Sequence, residues 1–192
     1  MPRKNALLFV FEGFCEFEIA IAISMLRKTH HLFTVSLENI PAKSEAGLTI
    51  LPDLTIERIT PDDYDVLIIP GGDLLPIAEA EELFEWVRKF ANQGKVIAAI
   101  CSGVYVLAKA GVLKDASYTV TLSKEQRNFL GCFNEEKYDY KPLVSYKNIL
   151  TAQGHAYVDF GIQLNKMVRD VSKEAIDFYK GKGNIHMETD GR

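Results

Sequence analysis

Three apolar runs constrain this chain more than any other feature. Residues 6–11 read Ala-Leu-Leu-Phe-Val-Phe, residues 65–69 end in Val-Leu-Ile-Ile, and residues 96–100 read Val-Ile-Ala-Ala-Ile. Each is too short for a buried helix and lacks the alternation of a half-exposed strand. Such runs fit strands covered on both faces, as in a parallel sheet flanked by helices. Helical patterns lie between them. Residues 16–29 repeat Phe17, Ala20, Ile21, Ser24 and Lys28 at intervals of three or four, and residues 78–93 place Leu83, Val87, Phe90 and Ala91 on one face, with Gly94 beyond the end.

Residues 31–37 and 118–122 read as further strands, and residues 42–51 as a hairpin or bent loop around Gly47. A helix runs from the third apolar run to Ala110 and closes at Gly111. Ser123 with Gln126 forms a capping-box pattern that opens another helix. Residues 143–151 hold two short strands around Lys147-Asn148, and residues 156–170 and 173–179 are helical. This order predicts one doubly wound, flavodoxin-like α/β domain over residues 1–180, with a mostly parallel sheet and right-handed crossovers. Residues 181–192 read as a polar tail.

The 192 residues are 47% hydrophobic and 25% charged, ordinary values for a soluble globular protein. The net charge of −4 carries no nucleic-acid footprint. No apolar run approaches the ~20 residues of a membrane span. Met-Pro-Arg-Lys-Asn leads into a strand without a secretory pattern, and three cysteines lack framework spacing. Free thiols in a reducing, cytoplasmic setting are expected. Neither metal-ligand spacing nor a phosphate-binding glycine loop is present, so no metal and no cofactor is expected.

Ligands of doubly wound sheets bind outside the carboxyl ends of the strands. Four strand ends here carry unusual residues: Glu12 to Glu18, Gly71-Gly72-Asp73, Cys101-Ser102, and Gln153-Gly154-His155. A lone cysteine more often serves packing. Cys101, however, stands between a buried strand and a helix, with Ala99 and Gly103 as small neighbours, the setting of a nucleophile elbow. A helix amino terminus there favours the thiolate. Glu18, among apolar residues, is expected to have a raised pKa and to carry protons. The N–H groups of Gly72 and Ser102 are candidate oxyanion donors, and His155 is a candidate base. His186-Met187-Glu188 has the order of a Cys…His-x-Glu triad, but its surroundings are polar and no strand aims it. His30 and His31 read as solvated junction residues.

Taken together, these segments resemble the ThiJ/PfpI superfamily, which shares its fold with class I glutamine amidotransferases. The resemblance covers residues 5–170. Glu12-Gly13-Phe14-Cys15-Glu16-Phe17-Glu18-Ile19 is similar to the family's first loop, and Val66 to Gly72 to its strand-Pro-Gly-Gly loop. Ala98-Ala99-Ile100-Cys101-Ser102-Gly103 is similar to its elbow, and residues 150–160 to its last strand and final helix. The resemblance implies Cys101 as the reactive cysteine, Glu18 as the acid bonded to it, and Gly72 and Ser102 as backbone donors. It also implies a homodimer with a small-molecule substrate. Relatives include glyoxalases or deglycases, isonitrile hydratases, reputed proteases or amidases, chaperones and oxidation sensors. Ser102 and Leu122 occupy the two places where branches of the family carry a histidine, which speaks against proteolysis. The expectation is a cysteine-dependent enzyme acting on small reactive carbonyls, or a related hydrolase or hydratase. The alternative is a non-catalytic oxidation sensor or stress-response protein using Cys101. Cys15, beside the expected site, could pair with Cys101 as a redox couple.

Overall fold

The computed structural model describes residues 4–182. His186 and Glu188, and nearly all of the expected tail, lie outside the described residues. The strands are Lys4–Phe9 (β1), His30–Ser36 (β2), Ala42–Lys43 (β3), Thr49–Ile50 (β4), Leu54–Thr55 (β5), Val66–Ile69 (β6), Val96–Ile100 (β7), Leu143–Tyr146 (β8) and Ile149–Ala152 (β9). The helices are Ala20–Leu26 (α1), Glu81–Asn92 (α2), Val104–Lys109 (α3), Lys124–Leu130 (α4), Tyr157–Val168 (α5) and Lys173–Tyr179 (α6).

Seven strands form one sheet in the order β5-β2-β1-β6-β7-β9-β8, and β3 and β4 form a separate hairpin. All pairs in the large sheet are parallel except β8 with β9. The three apolar runs are β1, β6 and β7, adjacent at the centre of the sheet. All four residues of β6 and of β9 are buried. Helices α1 and α5 pack on one face, and α2 and α3 on the other. The order reverses between β1 and β6, which opens the crevice that such sheets use for ligands.

Three local expectations are corrected. Residues 118–122 are not a sheet strand, because β8 already occupies the edge of β9. Tyr118 makes only a single bridge to Tyr138, and the Thr119 N–H donates to Thr151 Oγ1 at 3.0 Å. The helix expected over residues 16–29 divides at Ile19 into a 3₁₀ turn, Glu16–Glu18, and α1. Strand β5 passes unnoticed in the sequence, being two residues long. His30, expected to be solvated, is buried, and its Nε2 has no hydrogen-bond partner among the described residues.

Gly161 explains how closely α5 approaches α1. A β-carbon there would lie 2.7 Å from the Ala22 N. Asn165 Nδ2 donates to the Ala22 O at 3.2 Å, which fixes the same contact. No described helix is long and apolar enough to cross a membrane.

Candidate active site

The carboxyl ends of β1, β6, β7 and β9 converge. The loop after β1 is held from both sides. The Gly13 N–H donates to the Lys43 O at 2.8 Å and the Glu45 N–H to the Phe14 O at 2.9 Å, so the β3–β4 hairpin grips it from outside. From inside, the Cys15 N–H donates to the Gly71 O at 2.9 Å, beside a bridge between Phe14 and Gly72. Gly72 has φ +142°, and a β-carbon there would meet the Gly13 O at 2.3 Å, so only glycine permits this approach.

Glu18 is 1% exposed and reaches from this loop under the β6 turn, where its Oε2 accepts the Gly71 N–H at 2.8 Å. Cys101 follows β7 directly with φ +57°, a left-handed conformation uncommon for a residue with a side chain. It begins the 3₁₀ turn Cys101–Gly103 ahead of α3, the strained elbow expected from the sequence. Gly103 closes it, since a β-carbon there would lie 2.1 Å from the Pro70 O.

Two glycines wall the space between sulfur and carboxyl. A β-carbon at Gly71 would lie 2.7 Å from Glu18 Oε2 and 3.1 Å from Cys101 Sγ; one at Gly154 would lie 2.9 Å from Glu18 Oε1 and 3.1 Å from Sγ. The Glu18 carboxyl and the Cys101 sulfur thus sit together against the same two glycines. Burial pushes the Glu18 carboxyl up, against the opposing pull of its bonds to Cys101 and Gly71. Burial, the charge of Glu18 and the bond to it push the Cys101 thiol up to about 11, and the Ser102 N–H and the Thr121 hydroxyl only partly offset this. The expectation of a thiolate favoured by the helix terminus is thereby corrected: burial beside a carboxylate outweighs a one-turn helix start. The pair keeps at least one proton at neutral pH.

The Gly72 N–H donates to Ser102 Oγ at 2.9 Å, and the Ser102 hydroxyl donates back to the Gly72 O at 2.9 Å. That amide, expected to face an oxyanion, is thus already engaged, and the Ser102 N–H is the backbone donor beside the sulfur. The second donor, Thr121, was not anticipated. Its Oγ1 accepts the Gly154 N–H at 2.8 Å, and its single proton has two acceptors in reach, Gln153 Oε1 at 3.0 Å and the Cys101 sulfur. Gln153 is buried, and its Nε2 donates to Thr119 Oγ1 at 2.8 Å and the Val120 O at 2.9 Å. The one available signal was Gln153 itself, an amide directly after an apolar strand.

His155 lies exposed in the 3₁₀ turn Gly154–Ala156 and makes no hydrogen bond to Cys101 or Glu18. The Cys15 thiol donates to Glu45 Oε2 at 3.0 Å, and burial and that bond push it up. All three cysteines are free. Among the described residues, no group of three or more His, Cys, Asp or Glu is placed to hold a metal ion.

Comparison with known proteins follows the same outline. The sequence model of the DJ-1/PfpI family matches residues 4–167. Protein DJ-1alpha of Drosophila melanogaster is 32% identical over 180 residues, covering 89% of this chain and 81% of its own length. A protein of Thermococcus kodakarensis named a deglycase is 29% identical over 128 residues, or 65% of this chain and 77% of its own. The crystal structure of a DJ-1 superfamily protein from Agrobacterium tumefaciens superposes with a TM-score of 0.85 at 24% identity, covering 95% of this chain and 99% of that one.

Proposed function

Since this chain belongs to the DJ-1/PfpI family, we propose that it is a cysteine-dependent enzyme acting on small reactive carbonyls, of the glyoxalase or deglycase kind, with a 2-oxoaldehyde as substrate. The observation that carries this reading is the buried Glu18 carboxyl set beside a half-buried Cys101 thiol on a strained elbow, in a niche walled by glycines. A related protein named a deglycase supports it.

In this reading the Cys101 sulfur adds to the aldehyde carbon, while the thiol proton passes to Glu18 and then to the new oxygen. The developing oxyanion meets the Ser102 N–H and the Thr121 hydroxyl. Glu18 then removes the proton from the former aldehyde carbon and returns it to the neighbouring carbon through an enediol. The first carbon is oxidised to a thioester as the second is reduced to an alcohol. Water cleaves the thioester, freeing the thiol and a 2-hydroxy acid. The net change is the addition of one water, and the scheme calls for no cofactor.

A lactate assay with methylglyoxal tests it. Wild type should form lactate, and Cys101→Ala and Glu18→Gln should lose it; lactate formation unchanged in Cys101→Ala overturns the reading. The exposed position of His155, which leaves the pair without a hydrogen-bonded imidazole, favours a second reading as an oxidation sensor. Cys101 would then oxidise to a sulfinate held by Glu18 and the same donors. Mild peroxide followed by mass mapping decides it, and oxidation of Cys15 or Cys132 ahead of Cys101 would end it.

We also propose that the protein is a homodimer. Phe17, on the turn that carries Glu18, stays 48% exposed against Tyr157, and Leu48 and Leu51 at the hairpin are exposed. Sedimentation at micromolar concentration checks this.

A further inference from the structure

A concave cleft of about 420 Å³ lies between the turn after β6 and helix α4, lined by Leu74, Leu122, Glu125, Gln126, Phe129 and Leu130. Four of these six side chains are apolar. The amide of Gln126 is engaged, since its Oε1 accepts the Ser123 N–H at 2.8 Å within the capping box. Phe129 is 89% exposed, a large apolar surface left in water on a well-capped helix. The neighbouring Leu75 is also exposed.

The cleft begins next to the residues around the sulfur. Leu122 directly follows Thr121, whose Oγ1 accepts the N–H of Gly154, the glycine packed against the Cys101 sulfur. Leu74 comes two residues after Gly72, which Ser102 holds. Consecutive Cα atoms are 3.8 Å apart, so the apolar walls start within one or two residues of the groups around the sulfur. The cleft's size falls in the range of small-molecule pockets. Its one ionisable lining group is the Glu125 carboxylate, which disfavours an anionic occupant.

We infer that Leu74, Leu122 and Phe129 form an apolar subsite that receives the substituent of the carbonyl substrate, so that 2-oxoaldehydes with aryl or bulky alkyl groups are preferred to methylglyoxal. This rests on the reading of Cys101 as the nucleophile toward such carbonyls. A second copy of the chain seated on Phe129 is the competing occupant.

The test compares two thiol reagents, iodoacetamide and N-benzyliodoacetamide, by their rates at Cys101, with glutathione as reference. Burial of a phenyl group predicts a benzyl preference at Cys101 about tenfold above that of glutathione. Phe129→Ser and Leu74→Ser should both bring the ratio toward the glutathione value. Phe129 is so exposed that its replacement leaves the core intact. In the same proteins, wild-type kcat/KM should favour phenylglyoxal over methylglyoxal, with the advantage shrinking in both variants. A ratio at the glutathione value with methylglyoxal turnover intact overturns the subsite and leaves the carbonyl reading standing. A preserved benzyl preference with neither aldehyde consumed removes the carbonyl reading but keeps the subsite. A Phe129→Ser variant that changes sedimentation yet keeps the benzyl ratio assigns the patch to a dimer interface and overturns the inference.

Discussion

The reaction proposed for this protein turns on a proton that passes between Glu18 and Cys101. The Glu18 charge and its bond to the sulfur both raise the thiol. Glu18→Gln removes the charge, so the pH profile of Cys101 alkylation should move to lower pH from the wild-type rise toward about 11. Reactivity and turnover should therefore part company. The Gln variant labels faster at pH 8 but forms less lactate, because it has no carboxylate to move the carbon-bound proton. Loss of a positioned general base costs ~10²–10⁴-fold. An unmoved alkylation profile would mean that Glu18 does not govern the sulfur. Thr121→Val carries the opposite sign. It deletes a donor that lowers the thiol, so its profile should move to higher pH, while Thr121→Ser restores the wild-type curve. His155→Ala should cost well under the general-base range, since the imidazole is exposed and hydrogen-bonds neither partner. A loss within that range would place His155 in the reaction.

The site depends on three short elements fitting without a β-carbon to spare. Gly103→Ala puts a methyl about where the Pro70 carbonyl stands, at 2.1 Å, so the elbow or the β6 turn must shift. That variant should lose Cys101 selectivity toward iodoacetamide, and it should melt at lower temperature, with a loss of stability typical of overpacking, about 1–3 kcal/mol. Unchanged labelling would show that the elbow tolerates the shift. These elements were legible to different degrees. β1, β6 and β7 announce themselves as uninterrupted apolar runs, and α4 announces itself by Ser123 and Gln126, whose two reciprocal bonds are both present. The Thr119-Val120-Thr121 alternation is that of a strand, and nothing local reveals that β8 takes the place beside β9. The role of Thr121 was hidden for the same reason: Gln153 and Gly154, which fix it, are more than thirty residues away. The raised thiol was also illegible, because it arises from burial that exists only once Gly71 and Gly154 close around the pair.

At the scale of the molecule, two buried titratable groups pull stability in opposite directions. Glu18 is raised when folded. The native state therefore holds its proton to higher pH than the unfolded chain, whose carboxyl titrates near ~4.3. Its contribution is fully present below that pH and is lost as pH rises through the raised native value. His30, at the start of β2, is lowered when folded, chiefly by burial. The unfolded chain takes up its proton below ~6.5, so that contribution is present above this pH and is lost as pH falls toward the lowered native value. The protein thus bears the cost of a buried carboxyl at neutral pH and of a buried imidazole in acid. Glu18→Gln should raise the melting temperature at pH 7, since the amide oxygen can still accept the Gly71 N–H without burying a charge. The gain should shrink as pH falls and vanish near pH ~3, about a unit below the unfolded value, where wild-type Glu18 is protonated in both states. Melting curves from about pH 3 to 8 on both proteins measure this difference. A gain that is independent of pH would assign it to packing, and a loss at pH 7 would show that the carboxylate is compensated by its donors. The predicted pattern, stabilisation at neutral pH together with loss of turnover, is what a group retained for its chemistry at the expense of the fold should give.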